Sequence, residues 1–213
     1  MANERSEQPF IVRFYSKPDK NHPSTEDPEG RTLKDMLNYS NDELESHHDY
    51  IQYLFPLPEK SMVNPEAVLI DLETYHAFQE DPTLRARLFE AFKRMASFYG
   101  FDLTGSEKDP VLTPKENFKK LAGQTWLTHF DHNHLRITRI IRCLRVLSLE
   151  KVATAFFESL EAYAGNKVNA KSRDVWRKAA KRPLNMRPDR DDAIGIKWLY
   201  EELNPKQEEG SDE

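Results

Sequence analysis

Glu45, His47, His48 and Gln52, residue types able to bind or catalyse, crowd into the stretch DELESHHDYIQYLFPLPE, residues 42–59. A histidine beside a carboxylate can move a proton near neutral pH, and Glu45 with His48 has the i, i+3 spacing by which helices hold metal ions. On a helix advancing about 100° per residue, Leu44, Ile51, Leu54 and Phe55 share one arc. His47 falls inside that arc, Glu45, His48 and Gln52 lie along its edge, and Asp42 sits farther round toward solvent. Two readings follow. The stretch is the wall of a catalytic or binding site, or it is a core helix with His47 hydrogen-bonded inside it and Glu45 as the acceptor.

A second histidine group, His129, His132 and His134 in HFDHNH, precedes a helical pattern, where a loop could gather the rings around zinc. No cysteine or third helical ligand accompanies it, and Asp131 or Asn133 as a helix N-cap is the simpler role. Asp131 and His134 repeat the i, i+3 spacing with Asp in place of Glu, so the two-pair pattern of a di-metal bundle is incomplete. A metal held by Glu45, His48 and His132 is therefore not favoured, and no cofactor is expected.

Arg136, Arg139, Arg142 and Arg145 recur every three residues opposite a stripe of Ile137, Ile140, Ile141, Leu144 and Leu147. Arg142 and Arg145 read as a solvated basic face. Arg136, nearest the apolar boundary, can reach inward to a carboxylate or a ligand anion in bidentate geometry. A second basic helix carries Arg173, Arg177, Lys178, Lys181 and Arg182, suited to an acidic protein partner or a nuclear-import patch. Cys143 has no base at local spacing, and the chain holds no G-x-S-x-G, phosphate-binding glycine loop or dinucleotide fingerprint.

The elements that must position these residues read as helices. Residues 1–9 are polar and expected to be disordered, 10–17 are short and aromatic-rich, and 18–30 form a loop. A short helix over 32–39 precedes one capped by Asn41 or Asp42 that runs to Phe55 and stops at Pro56 and Pro58. Asn64, Pro65 and Glu66 spell another helix start, and Asp81, Pro82 and Gly100 bracket a long helix. Residues 101–113 read as a linker, Pro114–Leu121 as a short helix, and helices follow through Gly165, over 172–182 and over 190–203. The sequence predicts one compact all-α domain over residues 10–204 with an acidic, disordered tail at 205–213.

Composition agrees with one soluble domain. Of 213 residues, 38% are hydrophobic and 11% aromatic, enough for a core although 31% are charged. A net charge of −5 gives no nucleic-acid footprint. No apolar run approaches the roughly 20 residues that cross a bilayer. The single cysteine excludes an internal disulfide and fits a reducing interior, so the chain is expected in the cytoplasm, the nucleus or both.

Taken together, LESHHDYIQYLFPLPEKSMVN, MASFYGFDL and HNHLRITRIIRCLRVLSLE resemble the conserved N-terminal region of the opioid growth factor receptor family, from RFY at 13–15 to about Gly165. The resemblance implies an all-α intracellular domain, a receptor for an enkephalin-type peptide that restrains proliferation, and a place around the nucleus. Its polar positions here are Asp42, Glu45, His47, His48, Gln52, Asn64, His132, Asn133, Arg136 and Arg139. His134 stands where the family more often has Asn, which counts further against the Asp131/His134 metal pair. Animal members continue into long extensions, whereas this chain ends at its acidic tail.

The resulting expectation is a binding module for a small acidic ligand or short peptide. Its site would comprise Glu45, His47, His48, Gln52, His132, Asn133, Arg136 and Arg139, with Tyr50, Tyr53 and Trp126 as aromatic walls. The alternative is a helical enzyme using the same Glu/His/Arg set, with or without a metal. A third role for that set is to lock two helices together.

Overall fold

The computed structural model describes residues 8–60 and 67–205. The expected helix start at Asn64, Pro65 and Glu66 lies outside the described residues, as do most of the two expected tails. Gln8 and Pro9 lead straight into α1 (Phe10–Tyr15), which buries Ile11, Val12, Phe14 and Tyr15.

Local side-chain chemistry sets five of the eleven helix starts among the described residues. Thr32 and Asp35 form a reciprocal capping box on α2 (Leu33–Leu37), and Ser40 with Glu43 forms another on α3 (Asn41–Ser46). Neither Asn41 nor Asp42 is therefore the cap. The predicted run to Phe55 is broken: the backbone is extended at His47, and α4 (Tyr50–Leu54) starts afresh. Residues 67–71 are not helical either, with Leu57 bridged to Leu69, so α5 (Leu72–Glu80) starts from Asp71, whose side chain accepts from Thr74 N. Asp81 and Pro82 open α6 (Pro82–Phe98) as the sequence predicts.

The all-α expectation is corrected at residues 101–114. They form an antiparallel hairpin, β1 (Phe101–Ser106) with β2 (Asp109–Pro114), rather than a linker. Phe101 and Leu103 point into the core while Asp102 and Thr104 point out, a two-residue alternation over too few positions to register in the sequence. Gly105 makes the tight end possible. Its φ is +79°, and a Cβ there would lie 2.1 Å from Asp109 O.

The hairpin lies against α6 and α9 (Glu150–Ala164), after which α7 (Phe118–Thr125) leads to the central helix α8 (Asn133–Val146). Helix α8 packs against α9 and α10 (Ala170–Lys181) and contributes Ile137, Ile140, Ile141 and Leu144 to the core. Two buried tryptophans tie the surrounding chain down through their only donors: Trp126 Nε1 to Tyr99 O and Trp176 Nε1 to His134 O, each 3.0 Å. The last helix, α11 (Lys197–Leu203), is shorter than predicted. Gly195, at φ +71°, brings the backbone against Asn185 so that Ile196 N bonds Asn185 O, which takes residues 190–196 out of helix.

Candidate functional site

The arginine row of α8 holds the broken segment 44–59 in place. Arg136 Nη1 donates to Leu44 O at 2.7 Å and to Asn133 Oδ1 at 3.2 Å. Its Nη2 donates to His47 O at 2.6 Å and to His48 Nδ1 at 3.2 Å. The guanidinium also lies over the Tyr50 ring, 5.4 Å from its centroid. Tyr50 donates to Leu44 O as well, so the carbonyl that a continuing α3 would offer to residue 48 is already taken. That competition breaks the predicted helix. One step on, Arg139 Nη1 donates to Phe55 O at 3.1 Å and so caps α4.

Arg142 corrects the reading of a solvated face. Its side chain is 1% exposed and faces the buried Glu59 carboxylate, Nε to Oε1 at 3.3 Å. Arg145 is engaged too, donating to Ala179 O and Arg182 O, each 2.8 Å, and pairing with Glu150. Desolvation lowers the pKa of both Arg139 and Arg142 from the usual arginine value, with Glu59 opposing the shift at Arg142.

The histidines and carboxylates of the sequence reading meet at one end of this row. Glu45 Oε1 lies 3.3 Å from His132 Nε2, and Glu45 Oε2 accepts from the buried Asn133 Nδ2 at 3.1 Å. His132 Nδ1 lies 3.4 Å from Asp131 Oδ1, which also accepts from Asn133 N. Glu45, Asp131 and His132 thus place three potential metal-ligand atoms within 4.8 Å of one another. The N-cap position of α8 is His132, without a side-chain cap bond, so neither Asp131 nor Asn133 is the N-cap; Asp131 only accepts from Asn133 N beside it. Glu45 and His48 do not share a helix, so their i, i+3 spacing carries no helical ligand pair. The ring of His48 stands edge-on to that of His132, 5.6 Å away. His47 is not a core histidine: it is exposed, with its ring 5.2 Å from that of Tyr39.

His134 is the buried histidine. Its Nε2 bonds Trp126 O at 2.8 Å and its Nδ1 meets Ser172 Oγ at 3.0 Å, and burial lowers its pKa from the ordinary histidine value. Cys143 is buried and its thiol pKa is pushed up by desolvation, which removes it as a nucleophile.

Between the 48–60 segment, α8 and the loop at 187–189 lies an open groove of ≈480 Å³. His48, Gln52, His132, Arg136 and Arg139 line it, joined by Lys60 and Arg187, which sequence reasoning missed. Nothing in a single sequence signals Arg187, which arrives from a distant loop, while Lys60 directly follows the 42–59 stretch but carries no motif that marks it. Glu45, His47 and Asn133 do not line the groove. Nor do Tyr50, Tyr53 and Trp126, all buried in the core; Ile51, Leu57 and Val175 supply its apolar walls instead. Among the described residues, Arg136, Arg139 and Lys60 have no carboxylate within ion-pair distance. By contrast, most cations of α10 and its C-cap are paired: Arg173 with Glu161, Arg177 and Lys178 with Asp174, and the C-cap Arg182 with Asp191.

The profile of the opioid growth factor receptor (OGFr) conserved region matches residues 4–171, which include every residue of this site except Val175 and the 187–189 loop. The chain belongs to this family. The opioid growth factor receptor of Rattus norvegicus is 39% identical over 128 residues, and that of Homo sapiens 36%. Opioid growth factor receptor-like protein 1 of Xenopus tropicalis is 31% identical over the same length. Each alignment covers 58% of this chain but only 21%, 18% and 24% of the respective relative, so this OGFr-family chain spans about a fifth of their length. No solved structure matches it. Among the described residues, no helix is long and apolar enough to cross a membrane.

Proposed function

We propose that this chain is a receptor-type binding module that grips the anionic group of a small ligand or short peptide in the α8 groove. The observation that carries this reading is the pair Arg136 and Arg139, two cations withdrawn from water with neutral carbonyls as partners and, among the described residues, no carboxylate within ion-pair distance, Glu59 acting on Arg139 only from farther off. An anion entering the groove supplies the missing countercharge where the low local dielectric strengthens the attraction. Exposed Lys60 adds a donor at the mouth, Gln52 an amide, and Ile51 and Leu57 a surface for apolar atoms. The names of the curated relatives make an opioid-type peptide with a free carboxylate the first ligand to test. Growth regulation, and residence in the cytoplasm or nucleus, are the corresponding cellular proposals.

The test is calorimetric titration with such a peptide and with its C-terminal amide. The carboxylate form is expected to bind, at least tenfold tighter than the amide, and to weaken about tenfold in Lys60→Glu. Equal binding of the two forms, or none, contradicts the reading.

A second reading, a helical enzyme, is favoured by the Glu45–Asp131–His132 grouping alone. Metal content of the purified protein distinguishes it: near-stoichiometric metal that disappears in Glu45→Ala would promote it over the binding module.

A further inference from the structure

Two large apolar side chains stand in solvent beside the groove. Phe130 is 76% exposed and Leu135 is 74% exposed, the two highest values among the exposed large hydrophobics of the described residues. Between them opens a second hollow of ≈490 Å³, floored in part by His134, Asn169 and Ser172. It shares His132, Leu135, Thr138 and Val175 with the first groove, so Leu135 is a ridge with a hollow on either side. The wall of the first groove runs along α8 from His132 to Arg142, about 15 Å at the helical rise, the reach of four or five extended residues, and its first part, from His132 to Thr138, is shared with the second hollow.

The charges along this track have one predominant sign. Lys60, Arg136 and Arg139 on one side of the ridge and Lys171 on the other have no ion-pair partner among the described residues. The carboxylates beside it are engaged: Glu59 with Arg142, Asp189 with Arg187, and Asp131 with His132 and Asn133 N. In a chain whose net charge is −5, an unpaired cationic track around a bare apolar ridge is a local reversal of sign. Isolated exposed hydrophobics are ordinary, but two beside continuous hollows form an anchor point.

We infer that the two hollows form one docking track for an acidic segment of a partner polypeptide, whose large apolar side chain packs between Phe130 and Leu135 while its carboxylates face Lys60, Arg139 and Lys171. This rests on the anion-binding reading of the first groove and extends it: the ligand is a stretch of chain that crosses the ridge, not a compact metabolite held on one side.

The test uses two probes on the full chain, followed by fluorescence anisotropy and calorimetry. One is a synthetic peptide of glutamates around a single tryptophan; the other is a small dicarboxylate that fits the first groove alone. The peptide is expected to bind more tightly than the dicarboxylate and to lose about tenfold in affinity in Leu135→Ala and in Phe130→Ala, with dicarboxylate binding unchanged in Phe130→Ala, whose side chain lies outside the first groove. Both side chains are solvent-facing, so neither substitution opens a core cavity, and circular dichroism checks the fold. If both probes bind equally and neither substitution alters the peptide, the track is overturned while the groove reading stands. If neither probe binds the wild-type chain, both are overturned.

Discussion

At the scale of single residues, Glu59 and Arg142 show how one side chain's role depends on a partner far away in sequence. Arg142 looked solvated because three-residue spacing carries it round α8, away from the isoleucine stripe. In the fold, the 44–59 segment runs alongside that face and covers it, and Glu59 meets the guanidinium there. Two charges taken out of water are expensive unless each has the other. Glu59→Ala is therefore expected to destabilise the protein by about 3–5 kcal/mol in chemical denaturation, because it strands a buried cation. Glu59→Leu combined with Arg142→Met should recover much of that loss, and a double variant no more stable than Glu59→Ala would contradict this account. The same distance in sequence explains His47. Its place in the apolar arc assumed an unbroken helix, and the break turned it outward.

At the scale of elements, caps written in adjacent residues were legible and tertiary competition was not. Asp81, Pro82 and Gly100 specify the ends of α6 locally, and the Ile137–Leu144 stripe specifies the buried face of α8. The break between α3 and α4 depends instead on Leu44 O being claimed both by Tyr50, six residues on, and by Arg136, 92 residues away in sequence. The hairpin escaped notice because Phe101 and Leu103 give only one full alternation, and Pro110 and Pro114 look like loop residues until β2 is seen to pair on one side only. Arg136→Met should release the carbonyls of Leu44 and His47 together, at a cost of about 2–4 kcal/mol for charge-assisted bonds. Hydrogen exchange read by mass spectrometry is expected to speed up over residues 40–50 and to stay unchanged in α9. Unaltered exchange at 40–50 would show that Arg136 does not hold this segment.

At the scale of the whole molecule, an acidic chain presents one cationic groove, and the contrast gives the site its direction. Bulk charge in the sequence gives no nucleic-acid footprint and no sign of where an acidic ligand would sit; the arrangement points to this groove, because many basic side chains elsewhere are already paired with carboxylates while Arg136, Arg139 and Lys60 have no ion-pair partner among the described residues. The sequence reading did name five residues that line the groove, His48, Gln52, His132, Arg136 and Arg139, since residue type and family resemblance both pointed to them. It also named three that support it from behind or beside, Glu45, His47 and Asn133, because which side of a broken segment faces the groove is decided only by packing. The measurement that tests the central claim most directly is a nitrogen–proton correlation spectrum of the labelled protein, titrated with a short peptide in its free-acid and amidated forms. The Arg139 guanidinium and Gln52 side-chain signals are expected to shift with the free acid, to shift far less with the amide, and to recover as salt is added. Shifts of the same size with both forms, or none with either, would contradict an anion site in this groove.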